Sequence, residues 1–268
     1  MRLTLSQYCL RELSTGAFLE IAARAGWESC ELGVVGGQRG PEDPKSMIES
    51  ARGSNVRVES VNVLRDWALP DDPDWRPAFD LLLEVALETG APVIVCAAPI
   101  RYEGMPPFEL VLEAASERLA MLAGLAEPKG VRVALEPVGL SSTRVGARGG
   151  IRTLAEGLAV VEAAGPSVGL VLDSYNVATA GDSLDRVADV PRERIALAHV
   201  ADGVVTGSPR GLPGEGELPL ASFVAALART GFEGALSLEI FPAAQADPLA
   251  FARRAREALR ALVPADAA

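Results

Sequence analysis

Four residues carry the chemistry that this sequence could do: Glu136, Asp173, His199 and Glu239. Each comes late in an otherwise apolar run, in VALEPVG, VGLVLDSYN, IALAHVAD and ALSLEIF. His199 is the single histidine of the chain. A charge at the end of a buried segment needs a partner, because its desolvation is costly. Carboxylates and an imidazole are ligand types for a divalent cation, and one shared ion would satisfy all four groups at once. The competing reading makes the acids structural ion pairs at strand ends.

The elements that must position these residues alternate in type from one end of the chain to the other. Short continuous apolar runs, bounded by Gly and charged residues, read as strands buried on both faces. They are expected at 3–6, 27–32, 56–64 and 92–97, followed by the four runs that end on Glu136, Asp173, His199 and Glu239. Helical patterns fall between them, at 15–25, 44–52, 75–88, 108–126, 153–164, 183–187, 221–229 and 248–262. Gly90 stops the third of these helices in the expected way. Eight strand–helix units predict a parallel sheet closed into a single (β/α)8 barrel over residues 1–263, with 264–268 as a frayed tail. The four candidate residues are spaced near the ~30 residues that each unit of a ~250-residue barrel occupies. One per strand, on strands five to eight, brings all four to the same barrel mouth. An open doubly wound sheet is the competing arrangement, but no GxGxxG follows the first strand.

Composition narrows the function classes. Of 268 residues, 49% are hydrophobic and only 5% aromatic, so a large core packs on small side chains. A net charge of −11 argues against a nucleic-acid surface, which needs clustered Lys and Arg. Cys9, Cys30 and Cys96 are odd in number and lie in apolar runs, the pattern of reduced buried thiols in a cytoplasmic protein. No basic start leads into an apolar segment, and no apolar run approaches the ~20 residues of a membrane span. The expected partner is a small molecule; the sequence is compatible with a homo-oligomer and does not specify one.

Over essentially the whole chain, and most strongly from 131 to 241, the sequence resembles the xylose isomerase-like TIM barrels, a family of sugar phosphate isomerases and epimerases. Its relatives include inosose isomerase and dehydratase, hydroxypyruvate isomerase and the ketose 3-epimerases, with endonuclease IV more distant. The shared motifs are Glu136 in VALEP, Asp173 in LVLDSYN, His199 in HVAD, PRGLPGEG at 209–216 and Glu239 in LSLEIF. The resemblance implies that Glu136, Asp173, His199 and Glu239 are metal ligands. Manganese or magnesium suits such an oxygen-rich set, and cobalt or zinc can compete. It also implies that Arg210, in the R-x-x-P-G-x-G loop, lies near the substrate. Many relatives place a substrate-touching histidine three residues after the Asp ligand; here Asn176 stands there, and an amide cannot titrate as imidazole does. A single histidine also cannot build the histidine-rich multi-zinc site of endonuclease IV.

The function expected is metal-dependent proton transfer beside a carbonyl of a small sugar, keto-sugar or cyclitol, with Glu136 and Glu239 as the catalytic acids and bases. The alternative is a dehydratase of an inosose- or dehydroshikimate-like substrate, and a third reading is a non-catalytic sugar-binding barrel. Trp67 is the expected platform for a sugar face, with Arg210 and Asn176 as substrate-binding residues. Glu31, Arg65, Arg101, Arg144 and Arg148 fall where they could line the mouth.

Overall fold

The computed structural model describes residues 1–34, 42–101, 104–139, 148–205 and 209–263. Eight parallel strands close into a barrel: β1 (Arg2–Ser6), β2 (Ser29–Gly33), β3 (Arg57–Leu64), β4 (Val93–Ala97), β5 (Arg132–Glu136), β6 (Gly169–Asp173), β7 (Ile195–Val200) and β8 (Ala235–Leu238). Each strand lies beside its neighbours in sequence, and β8 meets β1 through pairs such as Leu5 with Leu238. The expected (β/α)8 architecture is the observed one. The expected frayed tail, 264–268, lies outside the described residues, as does Arg144.

Helices α1 (Thr15–Arg24), α2 (Pro44–Arg52), α3 (Arg76–Thr89), α4 (Phe108–Ala126), α5 (Leu154–Ala164), α6 (Ser174–Ala180), α7 (Leu220–Arg229) and α8 (Pro248–Leu262) follow the strands in turn. Several begin on side-chain chemistry that satisfies the unpaired N–H groups of the first turn. Ser14 accepts from Ala17, Asp43 from Ser46 ahead of Pro44, and Asp247 from Ala250 ahead of Pro248. Thr153 and Glu156 form a reciprocal capping box on α5. Gly90, at φ 73°, supplies the left-handed residue that ends α3. No helix among the described residues is long and apolar enough to cross a membrane.

One expected element is misplaced in the sequence reading. The helix expected at 183–187 is a 3-10 turn, Leu184–Asp189, and the true helix after β6 is α6, which starts directly at Asp173. The cause is local: the Asp173 carboxylate accepts the Asn176 N–H at 2.8 Å and caps the helix at the moment the strand ends. A short antiparallel pair, Ile100–Arg101 with Arg148–Gly149, is a further element that periodicity did not reveal.

The barrel register positions the polar side chains. His199 lies opposite Asp173 on one side and Ser237 on the other, and Glu136 lies opposite Ala97. Glu239 follows β8 directly and prolongs the ladder, its N–H reaching the Val200 carbonyl. All four candidate residues therefore stand at the C-terminal ends of their strands, the face on which barrels of this type build their sites.

Candidate metal centre

Glu136, Asp173, His199 and Glu239 converge. Each offers one donor atom, and those atoms all lie within 4.8 Å of one another. All four side chains are buried, His199 completely. The His199 Nδ1 atom faces Glu136 Oε1 at 3.5 Å, Glu239 Oε2 at 3.6 Å and Asp173 Oδ2 at 3.9 Å. None of these is a hydrogen bond, and Nδ1 is a buried polar atom with no hydrogen-bond partner. The other ring nitrogen, Nε2, is satisfied by Glu31 Oε2 at 3.1 Å. A buried nitrogen left unpaired amid three carboxylate oxygens is the arrangement a divalent cation would complete, and hard oxygen donors with one imidazole suit such an ion.

Electrostatics point the same way. Burial raises the Glu239 carboxyl, and the Glu136 charge adds to it, so that its pKa is pushed up to about 7. Asp173 is raised as well, chiefly by burial. Burial opposes the charged form of Glu136 too, but the close positive charge of His199 outweighs it and holds the pKa below the ordinary value. For His199 burial favours the neutral ring, yet the Glu31 and Glu239 charges and the hydrogen bond to Glu31 hold it well above the ordinary imidazole range. With no cation present, protons take up part of the charge that the acids cannot bear together.

Arg210 supplies the other positive charge. Its Nη1 donates to Asp173 Oδ2 at 2.8 Å and to Glu239 Oε2 at 3.0 Å. Its guanidinium lies between the faces of Tyr175 and Phe241, with ring centroids at 5.1 and 5.3 Å. Asp202 sets the loop that delivers it. Asp202 exchanges backbone hydrogen bonds with Gly211, and its carboxylate accepts from the N–H groups of Gly203, Gly214 and Leu218. A Cβ on Gly216 would fall 2.3 Å from Asp202 Oδ1, so this turn requires glycine there. Asn176 bridges the two halves of the site: its amide nitrogen donates to Glu136 Oε1 at 3.1 Å, and its carbonyl oxygen accepts from Arg210 at 3.4 Å.

The structure corrects the expectation for Trp67. Its ring is fully buried, and its indole N–H donates to the Ala97 carbonyl at 2.7 Å, so it seals the loop after β3 against β4 and offers no open face to a sugar. Arg101, another candidate for the mouth, is engaged by Asp71 and Asp72. Two residues gain a role that the sequence reading did not give them. Asp202 was visible only as the last letter of HVAD, and its loop-holding role depends on contacts 9 to 16 residues downstream. Glu31 was visible as a carboxylate ending a strand, but its contact with His199 crosses the barrel.

Comparison with known proteins agrees with this architecture. A profile of the xylose isomerase-like TIM barrel family matches residues 19–262. An inosose isomerase of Bacillus velezensis is 26% identical over 238 residues, 83% of this chain and 82% of that protein. A 3-dehydroshikimate dehydratase of Pseudomonas putida is 32% identical over 84 residues, 28% of this chain and 13% of that protein. Among solved structures, the IolI protein with a bound zinc atom superposes with a TM-score of 0.86 at 20% identity, covering 98% of both chains.

Proposed function

The chain belongs to the xylose isomerase-like TIM barrel family, and from that premise we propose that it is a divalent-metal-dependent isomerase or epimerase of a small sugar, keto-sugar or cyclitol. The observation that carries this reading is the unpaired Nδ1 of His199, buried among the carboxylates of Glu136, Asp173 and Glu239. The zinc atom of the IolI structure and the inosose isomerase relative support it.

Glu136, Asp173, His199 and Glu239 would hold the ion, with manganese or magnesium favoured by three carboxylates and cobalt or zinc as competitors. A divalent cation, when bound, supplies Lewis-acid polarisation of a carbonyl oxygen. The chain's own residues do the rest. Glu136 ends β5 and Glu239 follows β8, so they approach the centre from different sides. One removes the proton next to the carbonyl, and the other returns it to the neighbouring carbon or the opposite face. Arg210 and Asn176 orient hydroxyl and carbonyl oxygens by donated hydrogen bonds. The three buried thiols, unpaired in the structure, fit a reducing cytoplasmic setting.

A second reading has its own support. The local match to a 3-dehydroshikimate dehydratase fits a lyase, in which the same proton removal leads to loss of a β-hydroxyl. Incubating the metal-loaded protein with ketoses, inososes and hydroxy-keto acids in D₂O separates the two by mass. Deuterium gain without loss of water marks an isomerase or epimerase, and loss of one water marks a dehydratase. Verified metal content without exchange or product on any of these substrates would contradict both.

A further inference from the structure

The centre has a floor that the four converging residues do not include. Glu31, on β2, is fully buried, yet among the described residues no Arg or Lys pairs with it. It accepts hydrogen bonds from the hydroxyls of Ser60 and Ser237 and from the Asn62 amide at 3.2 Å. Its remaining contact is with Nε2 of His199 at 3.1 Å. The arrangement is built by strand register. A shift between Cys30 and Glu31 sets Glu31 opposite Ser60, and Asn62, two residues on, presents its side chain to the same face. Ser237 is the register partner of His199 itself.

The chemistry of this cradle leaves little choice at the imidazole. An ionised carboxylate only accepts, and the three other groups around Glu31 donate to it. Glu31 therefore calls for a proton on Nε2. A neutral imidazole carries one N–H and one lone pair, so the lone pair is left on Nδ1, the atom that faces Glu136, Asp173 and Glu239 without a hydrogen-bond partner. We infer that Glu31 is a positioning residue that fixes the His199 tautomer and reserves the Nδ1 lone pair for a divalent cation held with Glu136, Asp173 and Glu239. This rests on the metal-dependent reading above. Glu31 stands on the far side of the ring from the three acids and acts on the ion through the histidine, as outer carboxylates do at metal-bound imidazoles.

The chain's single histidine makes the test direct, because every imidazole NMR signal comes from His199. Zinc is the probe: it is titrated into demetallated wild type, Glu31→Gln and Ser237→Ala, and ring-nitrogen spectra are recorded on each loaded form. In wild type the zinc should sit on Nδ1, with Nε2 protonated. Glu31→Gln should bind zinc ~10–100-fold more weakly, the usual cost of losing an outer partner. Its amide can donate to Nε2, so in metal-free protein held at a pH where the ring is neutral the single ring proton should move toward Nδ1. Ser237→Ala removes one donor to Glu31 and should weaken zinc binding less, with the wild-type tautomer kept. It also carries the test if Glu31→Gln does not fold. Equal zinc affinity in the variants, or zinc on Nε2 in wild type, would overturn the role of Glu31 alone. A wild type that takes up neither zinc nor manganese overturns the metal site and this inference with it.

Discussion

The two ends of the barrel handle charge in opposite ways. At the N-terminal end, Glu59 is bound by Arg2 through two hydrogen bonds of 2.9 and 3.1 Å and is approached by Arg57. Arg132, Arg192 and Arg194 are laced to backbone carbonyls of Glu193, Gly231 and Gly165. Each of these groups has a hydrogen-bond partner, and the bonds tie strands and helix ends together. At the C-terminal end, Glu136, Asp173 and Glu239 share one arginine and one histidine, and that histidine is also claimed by Glu31. The difference teaches where the fold stores an unmet need. A stabilising end gives its charged groups hydrogen-bond partners; a functional end keeps an excess of charge that a ligand completes.

The sharpest way to break this contrast is to neutralise the acids of the C-terminal end one at a time. Glu136→Gln and Glu239→Gln should each keep the fold and lose at least ~10²-fold in rate, the scale of a lost general acid or base. Near-wild-type turnover in both would remove the proton-transfer assignment. Arg210→Ala should cost ~10–10²-fold in kcat/KM, in line with ~1.5–3 kcal/mol for hydrogen bonds to charged groups. Lysine should restore little of it, since it lacks the planar fork. Steady-state kinetics of the two variants side by side decides this, and full rescue by lysine would reduce Arg210 to a bare charge. Asn176→Ala should lower turnover about tenfold while metal content stays near wild type; an unchanged rate on the true substrate would show that its amide serves Glu136 only.

The same contrast predicts a pH dependence. In the metal-free protein the Glu239 carboxyl is pushed up to about 7, above the ~4.3 of an unfolded chain. Between those values the folded state binds more protons than the unfolded one, so stability falls as pH rises through the window. His199, also raised, contributes stability below its unfolded value that is lost as pH climbs through its folded pKa. Demetallated protein should therefore melt at a lower temperature at pH 8 than at pH 6, and added manganese should recover more at pH 8. Melting curves that rise with pH in the absence of metal would contradict the charge excess. At the opposite end, Glu59→Gln should leave turnover unchanged and cost on the order of 1–3 kcal/mol in stability. Denaturant titration measures that loss, and a large drop in kcat would erase the distinction between the two ends.

Much of this was legible in the sequence because it is local or periodic. Buried apolar runs, caps such as Thr153 with Glu156, and a carboxylate late in each of three strands are written within a few residues of one another. Barrel closure then brings one residue from each of strands five to eight to one mouth, so strand count and position were enough for the four-residue cluster. What was not legible depends on pairs far apart in the chain. Glu31 and His199 lie 168 residues apart and meet only because β2 and β7 face each other across the barrel. Trp67 failed for another reason: a large aromatic after a strand can pack inward or present a face, and the Ala97 carbonyl that decides between them belongs to a different strand. The early start of α6 was hidden because Asp173 serves at once as strand end, site acid and helix cap.

The central claim is that the C-terminal end is completed by one divalent cation. Calorimetric titration of chelator-treated protein with manganese, paired with melting curves, tests it most directly. The account predicts uptake of about one ion per chain and a rise in melting temperature of the kind any ligand of the folded state produces. Both effects should be lost in Asp173→Ala, whose carboxylate is one of the four donors. No uptake of manganese, magnesium, cobalt or zinc, with full turnover after verified demetallation, would contradict it.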